Sequence, residues 1–173
     1  MANAVLTIRL LTREAFAPFG DVVDVTGGVP IAINQGFAER VNGLARVDVA
    51  GGTGVVNVSL FTARVRPQPL SIRMMERHPH GSQMFYPLQD QPWLIVVCDD
   101  PQIPDSYQAF RASGRQGVNY ARNVWHHPLL VFADDERFIV IDRGDLSLTP
   151  LNNLEEAWLD EACLLELSTQ GTF

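Results

Sequence analysis

Short apolar runs rich in β-branched residues recur along the chain, and Gly, Pro, Asn and Asp separate them. Many short strands with turn signals at regular intervals are typical of a β-sandwich or β-barrel. The pattern predicts strands at residues 55–61, 70–75, 83–86, 93–98, 108–111, 129–132 and 138–141. With 173 residues, the chain is expected to form a single domain over residues 1–173.

Helical signals are confined to the two ends of the chain. Thr12 is placed to cap a short helix that runs through Ala17 and is ended by Pro18. Asn153 followed by Glu156 resembles a capping box, which predicts a second short helix. The segment 163–167 fits a helix or a strand equally well. The expected fold is therefore all-β with short terminal helices.

The charge and the cysteines narrow the choice of partners and location. The net charge of -7 argues against nucleic acid as a partner, although local arginines still permit a small anionic substrate. Cys98 and Cys163 form no CxxC pattern, and Cys98 ends an apolar run, so a buried, unpaired Cys98 is expected. We see no signal peptide and no apolar run of the ~18 residues that a membrane helix needs. A soluble, cytoplasmic protein is expected.

The 13 basic residues are all arginine. Schiff-base chemistry on a lysine is therefore excluded, as is a lysine general base. Arginine can instead bind a carboxylate through two parallel hydrogen bonds.

All four histidines lie in two short segments, as His78 and His80 in one and as His126 and His127 in the other. Imidazole titrates near neutrality and is the commonest metal ligand in proteins, so the chemistry is expected where these segments meet. Glu76, His78 and His80 are spaced to share one face of an extended strand. His126 and His127 are adjacent and must point to opposite faces, and the sequence leaves open which one faces the interior.

Two further polar groups are less specific. Asp142-Arg143-Gly144-Asp145 follows a predicted strand and fits either a turn with a surface ion pair or an arginine placed for a carboxylate. Residues 34–40, with the sequence NQGFAER, are most simply a turn.

Taken in order, four segments resemble the ureidoglycolate lyases of allantoin degradation: INQGFAER (33–40), MMERHPHGSQMFYPL (74–88), GRQGVNYARNVWHHPL (114–129) and IDRG (141–144). EAFAPFGDVV (14–23) and NLEEAW (153–158) extend the likeness to nearly the whole chain. The resemblance implies a cupin-like β-barrel or jelly roll, usually a homodimer. It also implies that (S)-ureidoglycolate is converted to glyoxylate and urea in purine nitrogen catabolism.

The same resemblance implies a site built from two motifs on facing strands. His78 and Gln83 would come from the first motif, and a histidine after Trp125, which we take to be His126, from the second. These three residues would hold a divalent metal such as nickel. Gln83 stands near the position where cupins usually carry Glu, so the metal is expected to bind weakly. His80 stands where many members have Leu, and no role is assigned to it.

The expected reaction is an elimination, because one carbon of ureidoglycolate bears the hydroxyl, the carboxylate and the urea nitrogen. Arg77 or Arg143 would hold the carboxylate. Glu76, His78 or His126 would take the hydroxyl proton and return one to the leaving urea. The urea amide would be bound by Gln83, Asn119, Tyr120 and Asn123.

Two other classes of function are compatible with these residues. One is a ligand-binding cupin that senses a pathway metabolite, and the other is a different cupin enzyme, such as an isomerase or an oxygenase. An oxygenase needs a three-ligand iron site with open positions, which Gln83 does not favour.

Overall fold

The computed structural model describes residues 4–149, 152–160 and 165–167, and β-strands dominate them. Among these residues, helical structure is limited to α1 (Arg13–Phe16) and to two 3-10 turns, Asn34–Gly36 and Pro104–Ser106. The strands are β1 (Ala4–Leu6), β2 (Ile8–Leu10), β3 (Gly20–Val23), β4 (Ile31–Ile33), β5 (Ala38–Arg40), β6 (Gly54–Ala63), β7 (Ser71–Ile72), β8 (Met74–Arg77), β9 (Gln83–Pro87), β10 (Trp93–Cys98), β11 (Gln108–Ala112), β12 (Gly117–Tyr120), β13 (Trp125–His126), β14 (Leu130–Val131), β15 (Glu136–Asp145), β16 (Glu155–Trp158) and β17 (Leu165–Leu167).

Two sheets form the barrel. Sheet I has the strand order β16-β8-β13-β10-β11-β2, with β14 also paired to β10. Sheet II has the order β3-β12-β9-β15-β6. The main core lies between them, where Trp93 of sheet I meets Phe138 of sheet II at a ring-centroid distance of 5.1 Å. This is the predicted all-β, cupin-like architecture.

Strand β10 is buried on both faces, which explains why residues 93–98 form an unbroken apolar run. Its alternate residues Trp93, Ile95 and Val97 enter the core between the sheets. Its remaining residues, including Val96 and Cys98, enter a second apolar cluster on the other face of sheet I. Cys98 is buried and free, as expected from the sequence.

The predicted N-terminal helix is confirmed. The Thr12 hydroxyl accepts a hydrogen bond from the backbone N–H of Ala15 at 3.2 Å, and the helix ends at Phe16. Phe16 is fully buried and packs edge-on against Phe110 of sheet I. None of the described helices is long and apolar enough to cross a membrane.

The second predicted helix is wrong, because residues 155–158 form β16, which pairs antiparallel with β8. Asn153 does not cap a helix. Its side-chain oxygen accepts the backbone N–H of His80 at 2.7 Å, and its carbonyl faces the ring of His78. Pairing with β8 therefore overrides the local helix signal. The segment 163–167, for which the sequence did not decide between helix and strand, contains β17, while Cys163 lies outside the described residues.

Candidate metal and acid–base site

Neighbouring strands of sheet I bring Glu76 and His126 together. β8 and β13 pair antiparallel with His126 opposite Glu76. The Nε2 atom of His126 lies 3.5 Å from Oε1 of Glu76. The His126 side chain is only 2% exposed and that of Glu76 is 18% exposed, so the pair lies inside the barrel with the carboxylate nearer to solvent.

His78 completes this group directly after β8. Its ring centroid lies 5.3 Å from that of His126. Its Nδ1 atom is 2.6 Å from the carbonyl oxygen of Asn153, so Nδ1 must carry the hydrogen and Nε2 the lone pair in the neutral ring. Among the described residues, this buried Nε2 atom has no hydrogen-bond partner of normal geometry. A buried acceptor without a partner is costly and indicates a site for something that binds it.

His126 has the same arrangement. Its Nδ1 atom lies 2.9 Å from the carbonyl oxygen of Val124, so its Nε2 atom also carries a lone pair in the neutral ring. This Nε2 atom faces Oε1 of Gln83, from sheet II, at 3.2 Å. The amide of Gln83 is oriented by Asp142, whose Oδ2 atom accepts a hydrogen bond from Nε2 of Gln83 at 3.5 Å. Acceptors from both sheets thus face one another, which is favourable only with a proton or a cation between them.

Burial and neighbouring charge set the ionisation of this group. Burial opposes ionisation of Glu76, but the hydrogen bond and charge of His126 outweigh it and lower the pKa of the carboxyl. Burial first, and then the charge of His126, lower the pKa of His78, although the Asn153 carbonyl opposes this. At neutral pH, Glu76 is therefore a carboxylate and His78 is neutral, which are the forms that bind a metal.

The donor set fits a divalent metal. Ligand atoms of Glu76, His78 and His126 all lie within 4.8 Å of one another. Each histidine donates its other ring N–H to a backbone carbonyl, as metal-binding histidines usually do. Gln83 adds an amide oxygen on the opposite side. Glu76, which the sequence suggested only as an acid or base, thus joins the predicted ligands His78, Gln83 and His126.

Tyr120 fixes the plane of the His126 ring. The two rings stack with centroids 4.1 Å apart and an interplanar angle of 9°. Tyr120 itself is held by edge or tilted contacts with Phe85 and Phe16. Complete burial raises the pKa of its phenol, so the ring stays neutral. The predicted contact of Tyr120 with a urea group stays a prediction.

The question of the two adjacent histidines is answered by β13. His126 faces the interior, and His127 points to the opposite face of the strand. The Nδ1 atom of His127 lies 2.7 Å from the carbonyl oxygen of Pro128. Burial lowers the pKa of His127 to about 4, so this residue is a neutral structural histidine at physiological pH.

The two arginines expected to bind the carboxylate lie on outer faces. Arg77 alternates with Glu76, forms an ion pair with Glu155 at 2.6 Å and covers the ring of Trp125. Arg143 donates to the carbonyl of Val49 at 3.0 Å from the outer face of sheet II. Neither guanidinium is directed at the Glu76 group.

Sequence reasoning missed Asp142. Its side chain points into the barrel, towards Gln83 at 3.5 Å and Asn57 at 2.8 Å. Alternation along β15 could have predicted this orientation, because Asp142 shares its side of the strand with Phe138 and Val140, which are fully buried.

The two predicted asparagines are also placed outside the Glu76 group. Asn119 faces away from Tyr120, and its amide nitrogen donates to Asp21 at 3.1 Å and to the carbonyl of Arg46 at 3.0 Å. Asn123 lies in an exposed turn with a positive φ of 69°. Its backbone N–H donates to the carbonyl of His78 at 3.0 Å, so it supports that histidine through the main chain.

A cavity of about 430 Å³ reaches Glu76. Apolar side chains of Phe61, Phe85 and Leu129 line it, and Arg64 and Arg66 contribute positive charge. A cavity that combines apolar walls with a few convergent polar groups is typical of a small-molecule site. The sequence reasoning named neither of these two arginines.

Fold and site together define a cupin-like β-barrel with a histidine and carboxylate group between its sheets. The chain belongs to the ureidoglycolate lyase family, whose model matches residues 3–166. It is 51% identical to ureidoglycolate lyase 1 of Rhizobium meliloti (strain 1021), over 92% of each chain. It is 45% identical to the ureidoglycolate lyase of Stutzerimonas stutzeri (strain A1501), over 95% of this chain and 96% of that protein.

Solved structures are more distant. The chain is similar to the WlaRB TDP-quinovose 3,4-ketoisomerase from Campylobacter jejuni with a TM-score of 0.45 and 12% identity, over 74% of this chain and 87% of that one. At this distance the likeness carries no argument about function.

Proposed function

We propose that this protein eliminates urea from (S)-ureidoglycolate and releases glyoxylate. Family membership supports this reaction, and the observation that carries it is the contact of the buried His126 with Glu76, which lines the cavity. A carboxylate beside an imidazole supplies two groups that can accept the hydroxyl proton and pass it back to the leaving nitrogen, which the elimination requires.

The bond changes need only proton transfers. The hydroxyl of the substrate loses a proton as its oxygen forms the new carbonyl. The bond from carbon to the urea nitrogen breaks, and that nitrogen gains a proton, so no water is consumed. Glu76, which lines the cavity, accepts the hydroxyl proton. His126 is held by Tyr120 and the Val124 carbonyl, and it exchanges a proton with Glu76 so that one returns to the urea.

We further propose a weakly held divalent metal, such as nickel, at this site. His78, His126, Glu76 and Gln83 would hold it, and the unpartnered Nε2 atom of His78 supports this assignment. When bound, such a metal would occupy the lone pairs that transfer protons in the metal-free site, and it would instead act as a Lewis acid towards a substrate oxygen. Chelation is expected to reduce turnover without necessarily abolishing it.

Metal binding is tested by thermal unfolding. Nickel at about 100 times its dissociation constant is expected to stabilise the wild type by about 2.7 kcal/mol. For a chain of this size the melting temperature then rises by about 5–11 °C. His78→Ala should lose this rise, whereas His80→Leu, which alters a side chain outside the ligand set, should keep it. An equal rise in His78→Ala and the wild type would contradict the site.

The reaction is tested by quantifying both products from (S)-ureidoglycolate. We expect glyoxylate and urea in equal amounts. Release of ammonia in place of urea would indicate an amidohydrolase, and release of neither would favour the ligand-binding alternative.

We also propose a single-domain, cytoplasmic protein that acts as a homodimer. One core shared by both sheets supports the single domain. An exposed apolar face of sheet II supports the dimer: Val56, Val58 and Leu60 of β6 are 61%, 62% and 55% exposed and share one side of the strand. Ile139 and Ile141 lie beside them on β15. Contiguous apolar surface of this kind is typical of an interface.

The dimer is tested by light scattering. Val58→Asp places a charge at the centre of the apolar face and is expected to convert a dimer to a monomer. Val25→Asp changes an equally exposed valine away from this face and should leave the mass unchanged. A monomeric wild type, or a dimeric Val58→Asp variant, would contradict the proposal.

A further inference from the structure

The proposed substrate raises an electrostatic problem at the cavity. Ureidoglycolate carries a carboxylate, and Glu76 lines the cavity in which this substrate would bind. The chain as a whole has a net charge of -7. A cationic side chain that lines the cavity would bind the substrate carboxylate and hold it apart from Glu76.

The arginines singled out from the sequence do not meet this need. Arg77 is paired with Glu155 and stacked on Trp125 on the outer face of sheet I. Arg143 is 3% exposed and bonded to the carbonyls of Val49 and Gly51 and to Asp145.

Arg64 and Arg66 line the same cavity as Glu76. They lie in the extended segment that follows β6, where residues two apart share a side. Both are exposed, and among the described residues neither guanidinium has a hydrogen bond or an ion pair. The segment is anchored between them, because the backbone N–H of Val65 donates to Asp134 at 2.9 Å.

We infer that Arg66, together with Arg64, binds the substrate carboxylate at the mouth of this cavity; the inference deepens the proposed lyase function and rests on it. The arginines and Glu76 then orient the substrate by charge. The carboxylate turns to the guanidinium groups, and the carbon that bears the hydroxyl turns to Glu76.

The test compares Arg66→Gln, Arg64→Gln and the double variant with Arg115→Gln. Arg115 pairs with Asp90 on the exposed surface and does not line this cavity, so it is a matched loss of charge. Two quantities are measured: KM and kcat for (S)-ureidoglycolate, and the calorimetric Kd of glycolate, a fragment that keeps the hydroxyl and the carboxylate. Ethylene glycol, which lacks the carboxylate, is the ligand control.

We expect Arg66→Gln to raise KM and the Kd of glycolate by about tenfold or more, the loss typical of a charge-assisted hydrogen bond. The double variant should lose more, kcat should fall less than KM rises, and Arg66→Lys should restore part of the affinity. Ethylene glycol should bind the wild type at least tenfold more weakly than glycolate, and its binding should not respond to these substitutions.

The outcomes separate the two proposals. The role of the arginines would be overturned if the double variant kept its KM and its affinity for glycolate, or if the wild type did not bind glycolate at all. The lyase proposal would still stand in either case, provided that the wild type is active. Arginine-dependent glycolate binding by a wild type that releases no urea would keep the anion site and refute the lyase reaction.

Discussion

His126→Ala is expected to lower kcat by about 10²–10⁴-fold, the range that positioned proton transfer usually contributes. The substitution removes the imidazole whose Nε2 atom lies 3.5 Å from Glu76 and 3.2 Å from Gln83. It also removes a ligand atom from the proposed metal site. Proton transfer and metal binding are therefore weakened together. Glu76→Gln, which keeps the size of the side chain and removes its charge, should have a comparable effect.

The matched control is His80→Leu. His80 belongs to the same short segment, but its only bond in the described structure is from its backbone N–H to Asn153, which leucine preserves. Turnover of His80→Leu should stay within about twofold of the wild type. Because His126 is buried, circular dichroism must first show that His126→Ala is folded.

A second measurement separates chemistry from packing. Added imidazole can enter the space left in His126→Ala, so partial recovery of turnover is expected. Recovery that follows the basicity of substituted imidazoles rather than their size would identify proton transfer as the cause. Near-normal turnover in folded His126→Ala and Glu76→Gln would refute the acid–base assignment.

Local periodicity was enough to place the inner face of β8. Residues 76 and 78 share a side of an extended chain, and the structure brings both into one group. The choice between His126 and His127 needed the pairing of β13 with β8, which connects residues far apart in the chain. Short apolar runs likewise predicted the strands at residues 83–86 and 93–98. They did not predict which faces of these strands pack against each other.

The errors have a common cause in long-range pairing. β15 continues to Asp145 because it pairs with β6 along its whole length. The sequence analysis ended this strand at residue 141. The alternation of inward and outward side chains was therefore not extended to residues 142 and 143, where it places Asp142 inside the barrel and Arg143 outside. In the same way, pairing with β8 made residues 155–158 a strand despite the capping pattern. Arg64 and Arg66 follow a strand without any local motif, so only the folded cavity relates them to Glu76.

Arg143→Ala is expected to destabilise the protein by about 3 kcal/mol, because a buried ion pair loses its cation and carbonyl groups lose their donor. The guanidinium bonds to Val49 and Gly51, so the loop before β6 loses its attachment to sheet II. The carboxylate of Asp145 keeps the Thr53 hydroxyl and the Ser147 N–H, which limits the loss. Thermal unfolding should show a melting temperature lower by about 6–12 °C.

This experiment distinguishes the two roles considered for Arg143. If Arg143 supports the loop, the variant assayed well below its melting temperature should bind glycolate with unchanged affinity. If it binds the carboxylate, affinity should fall at least tenfold while stability changes little. Arg115→Ala, which breaks an ion pair whose side chains are 82% and 74% exposed, should leave the melting temperature almost unchanged. A similarly small change in Arg143→Ala would contradict its structural role, because only a buried guanidinium that holds a loop accounts for the difference between the two variants.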